Sequence, residues 1–238
     1  MRLRPGVLDT TQLLLSWRTE MESEVKLVAG AVMTLALATA AMIVAPFLQL
    51  KDVPPPDGLQ PYTAQELRGR QVYVANGCIA CHTQQPSTTD AGRADASRGW
   101  GRPSVAADYF YDRPTLLGTM RTGPDLFNIG DRIPSNDWHY VHLYQPRAYV
   151  PASTMPAFPF LFEAVVNVEV APGQYTLPLP ETYALPGHKI VPTRDAVDLV
   201  AYLRAMRRQY DATEPDDAAH AKALAAVIRE SVPAVAGD

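Results

Sequence analysis

Residues 27–50 read LVAGAVMTLALATAAMIVAPFLQL and carry no charged side chain. A helix of that length crosses roughly 30 Å of hydrocarbon, and in lipid only a helix or a closed barrel satisfies every backbone amide. The start of the chain is therefore committed to a single transmembrane anchor. Glu20, Glu22 and Glu24 stand just before the run, and Lys51 and Asp52 close it. A cleaved signal peptide is the competing reading, with Ala38-Thr39-Ala40 as its small-residue cleavage site. Against it, the segment in front is long and mixed in charge, and the apolar residues continue well past that site. Arg2, Arg4, Arg18 and Lys26 precede the run, which favours a cytoplasmic location for residues 1–26.

Behind the anchor, residues 51–61 (KDVPPPDGLQP) make a stiff, extended linker. The chain holds 22 prolines, most of them between Pro54 and Pro192. That density predicts long, stiff connections between few regular elements. A main domain is expected over residues 62–210 and an acidic tail over residues 211–238. Basic and acidic side chains balance up to residue 210, so the net charge of −4 sits in the tail. With no basic stripe to neutralise phosphates, nucleic-acid binding is excluded.

Four helices follow the anchor in this reading. The first has Thr63 as N-cap with Glu66 completing a capping box, and ends near Asn76-Gly77. Its apolar face is expected from Leu67, Tyr73 and Val74, with Val72 at the edge. The second spans about 135–144 and stops at Pro146. The third starts after Thr193, with Val197, Val200, Ala201, Leu203 and Met206 along one face. The fourth lies at about 215–231 in the tail. Residues 163–170 and 175–179 are expected to pair as a short β-hairpin. The fold class is thus mostly α: one membrane helix, then a small helical domain with long loops.

The two cysteines, Cys78 and Cys81, sit in Cys78-Ile79-Ala80-Cys81-His82, the Cys-x-x-Cys-His attachment signature of c-type haem. The spacing has a chemical reason. The two thiols must lie about one turn apart to reach the two vinyl groups on one porphyrin edge, and the adjacent imidazole then reaches the iron. A thioredoxin-like pair would need a βαβ context, and a zinc site would need four ligands; neither pattern is here. One covalently bound haem c is expected, with the domain outside the cytoplasm, where such attachment occurs.

An electron-transfer haem takes a second axial ligand, commonly methionine. Met155 in Ser153-Thr154-Met155-Pro156, on a proline-bracketed loop, is the candidate. Met120 is its rival and Met206 fits the core. His139 and His142, three apart on one helix, are read as structural or partner contacts, with metal binding or replacement of Met155 as alternatives. Residues 121–126 (RTGPDL) resemble the Gly-Pro-x-Leu segment of small cytochromes c. That likeness implies that the carbonyl of Pro124 accepts the Nδ1–H of His82 and that Leu126 packs on the haem edge. Arg121, Trp138 and Arg147 are candidate propionate partners.

With these residues in place, the chain resembles the mono-haem cytochrome c subunit, subunit II, of cbb3-type cytochrome c oxidases. The likeness covers GRQVYVANGCIACHTQ, Ser104-Val105-Ala106 leading to Tyr111-Asp112, RTGPDLFNIGDR, DWHYVHLYQPR and VPASTMPAFPFLF, in that order, and the single-span anchor in front. It departs after Thr83-Gln84, where Gln85-Pro86-Ser87-Thr88 replaces an Arg-Pro-containing segment, and in the tail. The resemblance implies an electron-transfer subunit with no catalytic site of its own, in the bacterial inner membrane with its domain in the periplasm. Its implied partners are a membrane-embedded haem–copper catalytic subunit and a donor cytochrome. The alternatives are the cytochrome subunit of a nitric oxide reductase, and a free membrane-anchored shuttle or haem-based sensor.

Overall fold

The computed structural model describes residues 10–86 and 95–210, with side chains from residue 24 onward. The tail helix expected at 215–231 lies outside the described residues. Two units divide the chain, residues 1–53 and 54–238.

The first unit is a helix, α1 (Thr10–Thr39), which runs through a π-helical turn, Ala40–Val44, into α2 (Ala45–Leu50). The helix thus begins well before the apolar run, and the stretch able to cross a membrane is Glu24–Leu50. Its 27 residues span roughly 40 Å at 1.5 Å per residue. The π turn has a local cause. Pro46 has no N–H to donate and crowds the preceding turn, and widening the ladder lets the Ala45 N–H reach Ala40 O instead. Thr34 Oγ1 bonds Gly30 O at 2.8 Å, so its hydroxyl is satisfied within the helix.

The second unit is mostly helical. Helix α3 (Ala64–Ala75) opens on the expected capping box: Glu66 N donates to Thr63 Oγ1 at 3.3 Å, and Thr63 N to Glu66 Oε2 at 2.6 Å. One turn, α4 (Ile129–Arg132), precedes α5 (Asn136–Tyr144), capped by Ser135, and α6 (Arg194–Ala205), capped by Thr193. Each such cap contributes about 1 kcal/mol.

Helix α3 buries only part of the apolar face expected of it: Tyr73 is in the core and Val72 packs against it. Leu67 and Val74 stay 45% and 46% exposed, while Gly69 and Tyr73 are buried. Gly69 is the reason. A Cβ there would run into the backbone carbonyl of Asp198 and come within 2.9 Å of Tyr202 Cβ. The bare glycine lets α3 and α6 meet backbone to backbone, and that contact rotates the helix. Tyr73 then packs edge-on to Tyr202, with ring centroids 5.6 Å apart. On α6 the buried set is Ala196, Leu199, Val200, Tyr202 and Leu203, continued by Met206.

The expected hairpin is also corrected. Strand β1 (Phe162–Val166) pairs antiparallel with β2 (His188–Pro192), in the register Phe162↔Pro192 to Val166↔His188. Residues 175–179 form no strand. Pro178 and Pro180 have no amide hydrogen for a ladder, and this segment only touches β2, through Leu177 N to Ile190 O at 2.8 Å.

The chain past α6 is tied down by buried charge. Arg208 is 2% exposed; it bonds Asp112 at 2.9 Å and Tyr62 Oη at 2.9 Å, with the ring of Phe127 5.0 Å from its guanidinium carbon. Asp108 beside it accepts from Arg102 at 2.6 and 2.9 Å and from Tyr210 Oη at 2.9 Å.

Candidate functional site

Helix α3 ends by geometry suited to the cysteine turn. Gly77 takes a left-handed φ of +66°, which a side chain would resist, and the chain leaves the helix there. Cys78–Ala80 then form a 3₁₀ turn. Cys81 N and His82 N both donate to Cys78 O, at 3.2 and 3.0 Å, so the two thiols and the imidazole belong to one tight turn. The two cysteines are not joined in a disulfide; Cys81 is exposed and Cys78 half-buried. Burial pushes the Cys78 thiol up to about 11.

His82 is gripped from two sides. The Pro124 carbonyl lies 2.7 Å from its Nδ1, which places the ring proton there and leaves Nε2 for a ligand. Gly118, on the other flank, comes so close that a Cβ would sit 2.5 Å from His82 O. Burial favours the neutral imidazole most, with Arg132 adding to it; the Pro124 carbonyl and Asp125 oppose.

The strand-like pairing that builds this grip runs through Gly123 N to Cys81 O at 2.9 Å and Leu126 N to Thr83 O at 2.8 Å. Asp125 pins it. Its fully buried carboxylate accepts from Thr83 Oγ1 (2.6 Å), Gln85 N (2.7 Å) and Phe127 N (2.8 Å). Leu126 is 8% exposed, within the core cluster that Cys78, Ile79 and Met155 pack against.

The two methionines considered for the axial position differ. Met155 is half-buried against the core, its amide bonded to Ser153 Oγ at 3.2 Å. Met120 is 58% exposed. Met206, fully buried, serves the core.

Arg121 is already engaged: its guanidinium bonds both Asp95 oxygens, at 2.6 and 2.8 Å, and the Gln85 carbonyl at 2.7 Å. Arg147 is exposed. Trp138 stacks on His142, at 4.4 Å between centroids and 14° between planes. His139 is buried, with Nε2 3.0 Å from Ile133 O. Among the described residues no cluster of three or more His, Cys, Asp or Glu side chains gathers to hold a metal, so these two histidines find no third donor.

A residue the motif reading passed over is Arg132, the last of the RTGPDLFNIGDR block. Its guanidinium donates to Asp125 O, but its buried Nε finds no partner among the described residues. Arg98, Arg121 and Arg132 lie 5.0, 6.0 and 5.6 Å from the Trp100 ring centroid, three positive groups around one indole. Nothing in the spacing of these residues marks them as neighbours; only the fold does.

Two thiols in one turn, an imidazole with its Nδ1 already bonded, a half-buried thioether and an unpaired arginine nitrogen are a donor set that suits one haem. A family model described as "Cytochrome C oxidase, mono-heme subunit/FixO" matches residues 18–185, well over half the chain. No curated protein matches it.

Proposed function

We propose, on the premise that this chain belongs to the FixO family of mono-haem cytochrome c oxidase subunits, that it relays electrons from a donor cytochrome to a membrane-embedded haem–copper subunit of a cbb3-type oxidase. The observation that carries this reading is the Cys78–His82 turn, with the imidazole oriented by the Pro124 carbonyl.

In this reading Cys78 and Cys81 would hold the haem through thioethers, and His82 and Met155 would ligate its iron. Bound there, the haem supplies reversible one-electron transfer. The protein's own residues do the rest. The Pro124 carbonyl orients His82 and increases its basicity. Leu126 and the surrounding core keep water from the buried edge. Arg132, whose buried Nε has no partner among the described residues, would serve a propionate, since Arg121 is spent on Asp95 and Gln85. The anchor, inserted with the domain on the periplasmic side, holds the site beside its acceptor and raises the effective concentration of one for the other. Oxygen is reduced in the partner, not in this chain.

The test is purification of the native assembly in mild detergent through a tag on this chain. Expected is co-purification of a multi-span haem subunit and turnover with oxygen. Isolation of the chain alone, or turnover with nitric oxide and none with oxygen, overturns the reading.

A further inference from the structure

Helix α6 and the residues just after it carry Arg194, Arg204, Arg207 and Arg208, and all but Arg204 meet a carboxylate. Arg194 lies 3.8 Å from Asp198, Arg207 2.6 Å from Asp131 and Arg208 2.9 Å from Asp112. Arg204 has no such partner among the described residues. Its Nη1 is shut away from solvent and unbonded, while Nε and Nη2, equally unbonded, are not shut off. A guanidinium that is dry on one side and unpaired on the other is a cost to the fold, offset only when an acceptor meets it.

Arg204 lines a cleft of about 470 Å³ between the first turn of α3, helix α5 and α6. Val197 and Ala201 give it an apolar wall. Asn136 and Tyr140 line it too, and neither the Asn136 amide nor the Tyr140 hydroxyl makes a hydrogen bond among the described residues. The one carboxylate on the cleft, Glu66, is already engaged: its Oε2 accepts from Thr63 N at 2.6 Å in the capping box. Unfilled donors thus share a cleft that brings them no free acceptor. Such a set selects an anionic acceptor on a short apolar stem, which is the chemistry of an Asp or Glu side chain.

The chain's own acidic tail starts elsewhere. Past α6 the chain is held by Arg208 on Asp112 and by Tyr210 on Asp108, and neither aspartate lines the cleft. The family is one of oxidase subunits, so neighbouring polypeptides belong to its working state.

We propose that this cleft is a docking site for an acidic side chain of a neighbouring subunit, its carboxylate held side-on by Arg204 Nε and Nη2 and flanked by Asn136 and Tyr140. The neighbour covers the apolar wall and completes the desolvation of the pair, the setting in which an arginine anchors an interface. This rests on the chain's place in a multisubunit assembly and not on which gas that assembly reduces.

The test uses the native assembly, purified in mild detergent through a tag on this chain. Arg204→Lys keeps the charge and puts at position 204 an amine that carbodiimide couples to a touching carboxylate; a guanidinium does not react so. Expected is an amide cross-link from position 204 to an Asp or Glu of another subunit, located by peptide mass spectrometry and missing in wild type. Arg204→Gln should weaken the hold on that subunit by roughly tenfold or more, read as the amount retained through a salt wash. A cross-link to Glu66 or to residues 211–238, or none from position 204, overturns the proposal. Unchanged retention in Arg204→Gln overturns it as well, because the contact then holds nothing. Should Arg204→Gln fail to accumulate, the cross-link alone decides. Isolation of this chain without companions sinks both this proposal and the oxidase reading. An intact, oxygen-reducing assembly with position 204 uncoupled sinks this proposal alone.

Discussion

His82 Nδ1 and the carbonyl oxygen of Pro124 stand 2.7 Å apart, joined across 42 residues of sequence. The bond depends on the bare backbone of Gly123, because a Cβ at that position would overlap the His82 ring, 2.7 Å from Nδ1 and 2.8 Å from Nε2. Gly123→Ala should therefore tilt the imidazole and break the bond. Disturbing a partner that orients a metal ligand costs about 10–100-fold in affinity or activity. The expected outcome is a loss of roughly tenfold or more in electron-transfer activity at equal haem. Unchanged activity would show that the ring tolerates the methyl.

Gly69 tests the helix contact. In an ordinary helix interior Gly→Ala stabilises by about 0.5–1 kcal/mol. Here the new methyl meets the Asp198 carbonyl, which is backbone and cannot step aside. Gly69→Ala should cost about 1–3 kcal/mol, as overpacking does, read from the denaturant midpoint of the domain. A gain in stability would contradict the backbone-to-backbone packing of α3 on α6.

The Arg208–Asp112 pair tests the buried charge. Burial raises the pKa of Asp112 and Arg208 opposes it, so neither charge is comfortable without the other. Asp112→Asn leaves the guanidinium buried and should cost about 3–5 kcal/mol. Replacing both at once, Asp112→Leu with Arg208→Met, should cost clearly less than the sum of the single changes. Simple additivity would mean that the two do not act as a pair.

His139 links stability to pH. Burial, the largest cause, lowers its protonation in the folded state to about 4, against about 6.5 unfolded. Between those values the unfolded chain binds more protons, so stability falls as pH falls from 6.5 toward 4. The largest possible loss from this residue is about 3 kcal/mol. Denaturant midpoints should drop over that window in the wild type, and His139→Gln should flatten the drop. Equal slopes in the two proteins would remove His139 from the linkage.

What could be read ahead of the structure was local. The caps at Thr63 and Thr193, the break at Gly77 and the attachment turn all follow from a few adjacent residues, and their physics is complete within one turn. The face of α3 could not be read that way. Gly69 carries no apolar signal, yet its approach to Asp198 overrides Leu67 and Val74. Strand pairing failed for a related reason, because the partner of β1 lies beyond a proline-rich segment that no local pattern discounts. The burial of the charges at Asp108, Asp112, Asp125 and Arg208 has no local signal and is intelligible only once each has its partner. Arg132 and the unsatisfied nitrogen of Arg204 likewise emerge from the fold, since both are defined by what surrounds them.

The most direct test is the intact mass of the mature chain, denatured and extracted with acidified acetone to strip any haem that is not covalently held. Expected is one haem retained per chain, and none after Cys78 and Cys81 are both changed to Ala. A colourless wild-type polypeptide with both sulfurs free, or joined in a disulfide, would contradict haem attachment and the electron-transfer role built on it.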